Sequence, residues 1–116
     1  MQTRVELMIM SGVEDGLLLS FALENGDGTR EGDDWLLRLG RSDDNDICLR
    51  SDTFSSRRHA QLRLRAGQWW LEDCSSKNGT FIEGLADDVR IEQPVPLRAN
   101  QLFRIGRTWL RLQSTE

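Results

Sequence analysis

The sequence is poor in the residue types on which metal sites and disulfide frameworks depend. Its 116 residues include one histidine and two cysteines, Cys48 and Cys74. The two cysteines do not form a C-x-x-C pair, and a single histidine leaves a zinc ion short of ligands. We therefore expect two reduced, partly buried thiols, and neither a metal nor a cofactor.

Long apolar runs and an excess of positive charge are also absent. No stretch approaches the roughly 20 apolar residues that cross a bilayer as a helix, and the N-terminus lacks the pattern of a signal peptide. The net charge is −4, whereas domains that bind nucleic acid present a basic surface. These absences predict a cytoplasmic protein that binds neither membranes nor nucleic acid. The length is typical of one domain, so residues 1–116 are expected to form a single domain.

Enzyme motifs are missing as well. The sequence has no G-x-S-x-G and no G-x-x-x-x-G-K-[ST], and Gly26 and Gly28 lack the third glycine of a dinucleotide loop. Ser56, His59 and Asp73 leave a hydrolase as a minor alternative, because a catalytic triad depends on a geometry that spacing does not establish. The sequence favours a protein that is not an enzyme.

Short runs of alternating apolar residues dominate what is present. They cover residues 5–9, 17–22, 35–39, 47–49, 60–64, 69–72, 80–82, 102–105 and 109–112. Runs of period two, separated by Gly, Asn, Asp and Ser, predict antiparallel strands, and many short strands predict a β-sandwich or barrel. Residues 24–34 are almost without apolar side chains and contain two turn signals, so we predict a flexible loop there.

Charge is distributed unevenly along the chain. Residues 1–46 hold four Arg against eleven Asp and Glu, whereas residues 47–77 hold six Arg and Lys against three Asp and Glu. A basic segment in an acidic protein favours one local anion-binding patch over general attraction to polyanions.

The first of three loops with binding chemistry begins at Gly40-Arg41, directly after a predicted strand. A glycine lets the chain turn sharply there, and the guanidinium that follows offers a planar fork of donors matched to phosphate oxygens. The same dipeptide at Gly106-Arg107 has no polar companions, and we interpret it as turn chemistry between the last two strands.

The second and third loops add a hydroxyl, two more cations and an amide. Ser56 and Arg57 precede a predicted strand together with His59, which we interpret as a structural residue bonded to backbone. Lys77 lies beside Asn78 in an Asn-Gly turn. If the three loops converge, they supply what a phosphate and the peptide backbone beside it require.

These motifs closely resemble those of the forkhead-associated (FHA) domain. The matching residues are Gly40-Arg41, Asn45-x-Ile47-x-Leu49, Ser56-Arg57-x-His59-Ala60 and Trp70-x-x-Asp73-x-x-Ser76-x-Asn78-Gly79-Thr80-Phe81-x-x-Gly84. The motif core spans residues 39–84, and the flanking strands agree in pattern only. The resemblance implies an all-β, eleven-stranded antiparallel β-sandwich of the SMAD/FHA-like type. It also implies a signalling module that binds phosphothreonine-containing proteins, the substrates of Ser/Thr kinases.

The resemblance also implies roles for individual residues. Asn78 would hold the ligand backbone just after the phosphothreonine. The residues that would contact the phosphate are Arg41, Ser56, Arg57 and Lys77. The residues that would have architectural roles are Gly40, His59 and Gly79. This chain departs from the family pattern at Lys77, where a small hydroxyl residue is common, and at Glu83, where asparagine sometimes stands.

Selectivity in such domains depends largely on the third residue after the phosphothreonine. The facing loop, residues 52–55, contains no cation, so Phe54 is expected to favour an apolar ligand residue there. The domain is expected to be a monomer. The alternative is an FHA scaffold that binds a protein partner independently of phosphate, with Trp69 or Trp109 as an exposed anchor.

Overall fold

The computed structural model describes residues 3–115, which form twelve β-strands. A single turn of 3-10 helix, Leu23–Asn25, follows the second strand. The strands are β1 (Arg4–Ile9), β2 (Leu18–Ala22), β3 (Thr29–Glu31), β4 (Asp34–Gly40), β5 (Ile47–Cys48), β6 (Ala60–Arg65), β7 (Gln68–Asp73), β8 (Thr80–Ile82), β9 (Val89–Arg90), β10 (Val95–Leu97), β11 (Leu102–Ile105) and β12 (Thr108–Thr115).

The strands form two six-stranded sheets. The first has the order β2-β1-β12-β11-β8-β9 and the second the order β10-β7-β6-β4-β3, with β5 added beside the end of β4. All pairings are antiparallel except that between β4 and β5, which is parallel. The predicted all-β sandwich is confirmed, with twelve strands where eleven were expected and one parallel pair.

The core lies between the two sheets and comes from the alternating apolar positions. In β1, Val5, Leu7 and Ile9 are buried while the residues between them are partly exposed. Trp35 and Trp69 pack against each other inside, with ring centroids 5.6 Å apart. Trp69 is therefore a core residue and is not available as the exposed anchor that the scaffold alternative named.

The polar segment at residues 24–34 contains more regular structure than its composition predicted. Thr29–Glu31 forms β3, which pairs with the start of β4 around a turn with Gly32 in the left-handed region. All three residues of β3 are exposed, because this strand lies at the edge of its sheet and has no core face to bury. A strand of this kind carries no apolar alternation in its sequence.

No helix among residues 3–115 has the length and apolar composition that crossing a bilayer requires.

Candidate functional site

Three loops meet at one end of the second sheet because the strands that carry them are neighbours. Leu39, near the end of β4, pairs with Ala60 at the start of β6, and Ala60 pairs with Asp73 at the end of β7. The loops that leave these strand ends span residues 41–46, 49–59 and 74–79. They are the three loops predicted to carry the binding chemistry.

The first and second loops are held together through their backbones. The Arg41 amide donates to the Ser56 carbonyl at 3.0 Å, and the Ser42 amide donates to the Arg57 carbonyl at 3.3 Å. A Cβ on Gly40 would lie 2.2 Å from the Arg57 carbonyl oxygen, so a side chain there would push the loops apart. Gly40 lies outside the left-handed region, so close approach, and not the predicted sharp turn, explains this glycine.

Asn45 reinforces that contact from inside the first loop. Its buried side-chain amide donates to the carbonyls of Ser42 at 2.8 Å and Arg57 at 2.7 Å. Asparagine suits this place because one NH₂ group offers two donors. Asn45 belongs to the recognised motif, but these two partners could not be predicted from the residue types alone.

The second and third loops contact each other through the predicted site residues. The Lys77 amide donates to Ser56 Oγ at 3.1 Å, and Asn78 Nδ2 donates to the Phe54 carbonyl at 2.8 Å. The structure thus brings Arg41, Ser56 and Lys77 into one continuous set of contacts. Within residues 3–115 the Asn78 side chain forms this one hydrogen bond, through Nδ2.

His59 lies beneath this junction and is fully buried. Its Nδ1 accepts from the Ser56 amide at 2.9 Å, and its Nε2 donates to the Gly79 carbonyl at 2.8 Å. Burial lowers the pKa of the imidazole, against the opposing effect of the Gly79 hydrogen bond. The ring is therefore neutral with its proton on Nε2, and it connects the second loop to the third.

Asp73 organises the third loop. Its carboxylate accepts from the Ser76 amide at 3.1 Å, the Ser76 hydroxyl at 2.5 Å and the Thr80 hydroxyl at 2.7 Å. Burial alone would raise the pKa of Asp73, but the hydrogen bonds from Ser76 and Thr80 outweigh it and hold that pKa below its usual value. Gly79 completes the turn at a φ of 88°, which a residue with a side chain rarely adopts.

The contacts of Ser56, His59 and Asp73 differ from those of a catalytic triad. Both His59 nitrogens are engaged by backbone groups, Ser56 Oγ accepts from an amide, and Asp73 is bonded to Ser76 and Thr80. A triad requires the histidine to bridge the hydroxyl and the carboxylate. This geometry gives no support to the hydrolase alternative.

The cations of the basic segment divide into two groups. Four of its arginines form ion pairs with acidic side chains: Arg50, Arg58, Arg63 and Arg65. Arg57 and Lys77 are exposed and form no ion pair with any residue in the range 3–115, and the same is true of Arg41 in the first loop. Arg41 Nε donates to the Ser55 carbonyl at 3.2 Å, which orients the guanidinium and leaves its two NH₂ groups without a protein acceptor in the described chain.

Phe54 lies beside the site residues, and the Arg107 side chain stacks on its ring. The ring is 39% exposed, and the Arg107 guanidinium carbon lies 3.6 Å from its centroid. The loop at residues 52–55 has no cation of its own, but the turn between β11 and β12 supplies one. The interpretation of Gly106-Arg107 as turn chemistry alone was therefore incomplete, because proximity across the fold cannot be read from spacing.

The side chains that could coordinate a metal ion lie apart from one another in the described residues. Among residues 3–115, no three His, Cys, Asp or Glu side chains lie close enough to hold one metal ion. Both cysteines are free thiols, and Cys74 is exposed where partial burial was expected.

Comparison with known proteins agrees with the motifs. The FHA domain model matches residues 37–106, more than half of the chain. FhaB of Mycobacterium tuberculosis, an FHA domain-containing protein, is 35% identical over 75 residues, which cover 65% of this chain and 45% of FhaB. The chain thus spans less than half the length of this relative.

Solved structures agree as well. The FHA domain of the CT664 protein from Chlamydia trachomatis superposes with a TM-score of 0.72 at 28% identity, covering 96% of this chain and 97% of that one. A structure described as an analysis of phosphothreonine-dependent FHA domain interactions gives a TM-score of 0.69 at 25% identity, covering 97% of both chains. This chain, with its three joined loops at the end of a β-sandwich, belongs to the FHA domain family.

Proposed function

We propose that this chain binds phosphothreonine-containing segments of partner proteins and so mediates phosphorylation-dependent protein–protein interaction. The supporting observation is the junction of the three loops, where Arg41, Ser56 and Lys77 are linked by direct hydrogen bonds. Three cations surround this junction without intramolecular ion pairs in the described chain, so their charge is available to a ligand. A dianionic phosphate is the ligand that such a set of donors suits best.

In this proposal the phosphate oxygens are bound by Arg41, Ser56, Arg57 and Lys77. Arg41 is the principal contact, because its guanidinium is already oriented by the Ser55 carbonyl and loses little freedom on binding. Ser56 Oγ accepts from the Lys77 amide, which leaves its own hydroxyl proton free for a phosphate oxygen.

Asn78 binds the ligand backbone just after the phosphothreonine. Its Nδ2 is used by the Phe54 carbonyl, and that bond fixes the side-chain oxygen toward an incoming amide. His59, Gly40 and Gly79 act on the ligand only through the loops that they hold in place.

Phe54 is proposed to favour an apolar residue at the third position after the phosphothreonine. Arg107 covers one face of the ring, so this contact uses the part that remains exposed. A peptide array in which aspartate is preferred at that position contradicts the assignment.

The proposal is tested by titration calorimetry with a pool of phosphothreonine peptides, the unphosphorylated pool and a phosphoserine pool. Wild type should bind only the phosphothreonine pool detectably. Arg41→Ala should weaken binding by roughly tenfold to over a hundredfold, since charge-assisted hydrogen bonds contribute about 1.5–3 kcal/mol each. Arg98→Ala, at the opposite end of the sandwich, is the matched control and should bind as wild type does.

Binding that persists after dephosphorylation would instead identify a scaffold that recognises its partner through another surface. We further propose that the partner is a substrate of a Ser/Thr kinase, met in the cytoplasm by a monomeric domain. Sedimentation of the free chain at micromolar concentration tests the last point, and a dimer would contradict it.

A further inference from the structure

A groove lies beside Phe54, and Asn78 is not part of its lining. Its walls are the loop between β1 and β2, the loop before β6 and the turn between β11 and β12. The apolar part of its lining is Ile9, Val13, Leu49 and Phe54, and the polar part includes Ser11, Glu14, Ser51 and Thr53. None of these residues belongs to the proposed phosphate contacts.

The Arg107 turn is docked firmly onto the loop that carries Phe54. The Asp52 carboxylate accepts from the Arg107 amide at 2.8 Å and from the Thr108 hydroxyl at 2.6 Å. It also accepts from the Phe54 amide at 3.0 Å, so one carboxylate holds both walls. The Arg107 backbone is thus held against the loop that carries Phe54.

Gly106 shows how close this docking is. A Cβ at that position would lie 2.7 Å from Asp52 Oδ2 and 2.8 Å from the Ser55 amide nitrogen. Ser11 adds a third connection, since its hydroxyl accepts from the Trp109 amide at 2.9 Å and donates to the Arg107 carbonyl at 3.4 Å. The groove is therefore a built feature in which three chain segments fix one exposed arginine.

The Arg107 guanidinium itself has no carboxylate partner among the residues that the structure describes. The guanidinium lies over the Phe54 ring, and Arg107 as a whole residue is exposed. A guanidinium stacked on an aromatic ring retains its fork of donors for a carboxylate. The Asp52 carboxylate lines the same groove, but it accepts from two backbone amides and a hydroxyl and forms no ion pair with the Arg107 guanidinium.

We infer that this groove receives the ligand chain beyond its third residue after the phosphothreonine, and that Arg107 selects an acidic side chain there. The inference rests on the proposed function. The supporting observation is that the proposed site and the groove are connected through Phe54: Asn78 donates to the Phe54 carbonyl, and Arg107 stacks on the Phe54 ring. A peptide that passes Asn78 in an extended conformation and crosses Phe54 meets Arg107 next. Glu14 in the groove lining disfavours a second acidic residue, so the selection applies to one position.

The test is a phosphothreonine peptide array in which each of the six residues after the phosphothreonine is varied in turn among Asp, Ala and Lys. Wild type should prefer Asp over Ala by about fivefold at one position beyond the third, as expected for one partly exposed ion pair. Arg107→Ala should remove this preference, and Arg107→Glu should replace it with a preference for Lys. Both variants should bind the all-Ala phosphopeptide as wild type does, which shows that they are folded.

Arg98→Glu is the matched control for charge reversal, since it changes the net charge equally at the opposite end of the sandwich. It should leave the acidic preference unchanged. Phosphothreonine binding without an Arg107-dependent preference at any position beyond the third overturns this inference alone. Absence of binding to every phosphothreonine peptide by folded wild type overturns the proposed function, and this inference with it.

Discussion

On the outer face of the second sheet, Arg63 and Arg65 are bound to carboxylates, whereas Arg41 and Arg57 at the loop end form no ion pair within residues 3–115. Arg63 lies 2.7 Å from Asp34 and 3.0 Å from Glu72, and its side chain is only 11% exposed. The pKa of Asp34 is lowered, first by its hydrogen bond from Arg65 and then by that from Arg63. The same residue type thus stabilises the sheet in one place and remains available to a ligand in the other.

This difference corrects what the charge distribution along the sequence suggested. Most of the basic excess in residues 47–77 is paired with carboxylates from residues 1–46, as in Arg50 with Asp43 and Arg58 with Asp44. The two segments that look opposite in charge therefore largely neutralise each other across the fold. The proposed anion-binding patch is therefore smaller than the basic segment, because it contains only the cations that have no carboxylate partner within residues 3–115.

Substitution of His59 should cause the largest change in stability. It tests whether a residue at the loop end contributes to the free energy of unfolding and not to ligand contact. His59→Ala removes both ring hydrogen bonds and leaves the Ser56 amide and the Gly79 carbonyl unpaired. We expect a loss of about 2–4 kcal/mol in the free energy of unfolding at pH 7.5, since each buried unpaired group costs about 1–3 kcal/mol. Urea unfolding followed by tryptophan fluorescence measures it.

The same residue predicts a dependence on pH. Because burial holds the folded-state pKa of His59 below the unfolded value of about 6.5, the unfolded state binds more protons in that range. The stability contributed by neutral His59 is complete above about pH 6.5 and is lost as the pH falls through the folded pKa. The difference between wild type and His59→Ala should therefore shrink from pH 7.5 to pH 5.5, and a constant difference would refute the lowering of the His59 pKa in the folded state.

Arg63→Ala tests the other side of the comparison and should have the next largest effect on stability. It leaves Glu72 without its arginine partner and Asp34 with Arg65 alone. We expect a loss of about 1–3 kcal/mol in the free energy of unfolding and a phosphopeptide Kd equal to that of wild type. Arg41→Ala should show the reverse, and an Arg63→Ala variant that binds more weakly would break the comparison.

The sequence predicted the sandwich and the three loops well because both depend on local patterns. Alternation located β1, β4, β6 and β7, whose inner faces are buried. It missed β3, β9 and β10, three short strands in which at most one residue is buried. Pro96 in β10 added a signal against a strand, although proline is compatible with an edge strand such as this one.

The contacts that build the site could not be predicted in the same way. Asp52 joins residues 54, 107 and 108, and His59 joins residues 56 and 79, so both depend on segments distant in the chain. The hydrogen-bonding capacity of Arg41 and Asn78 follows from their residue types. Which cation has a carboxylate within reach depends on the fold. The stacking of Arg107 on Phe54 is the clearest case, since no sequence signal links them.

Substitution of Lys77 should have the smallest effect of these changes. It separates a residue that contributes charge from one, such as His59, that stabilises the same loops. Its backbone amide binds Ser56 Oγ, and this contact survives in Lys77→Ala because it does not involve the side chain. The ammonium is exposed and acts as a point charge, so its loss should weaken phosphopeptide binding by about two- to fivefold, as for a surface ion pair. The unfolding midpoint should not change.

Salt separates this charge effect from a structural one. Exposed charges are screened as ionic strength rises, so the ratio of the Kd values of Lys77→Ala and wild type should approach one between 50 mM and 500 mM NaCl. Arg98→Ala is again the control and should give a ratio of one at every salt concentration. A ratio that stays constant with salt, or a lowered unfolding midpoint, would mean that the Lys77 side chain shapes the loop and would move it to the group of residues that includes His59.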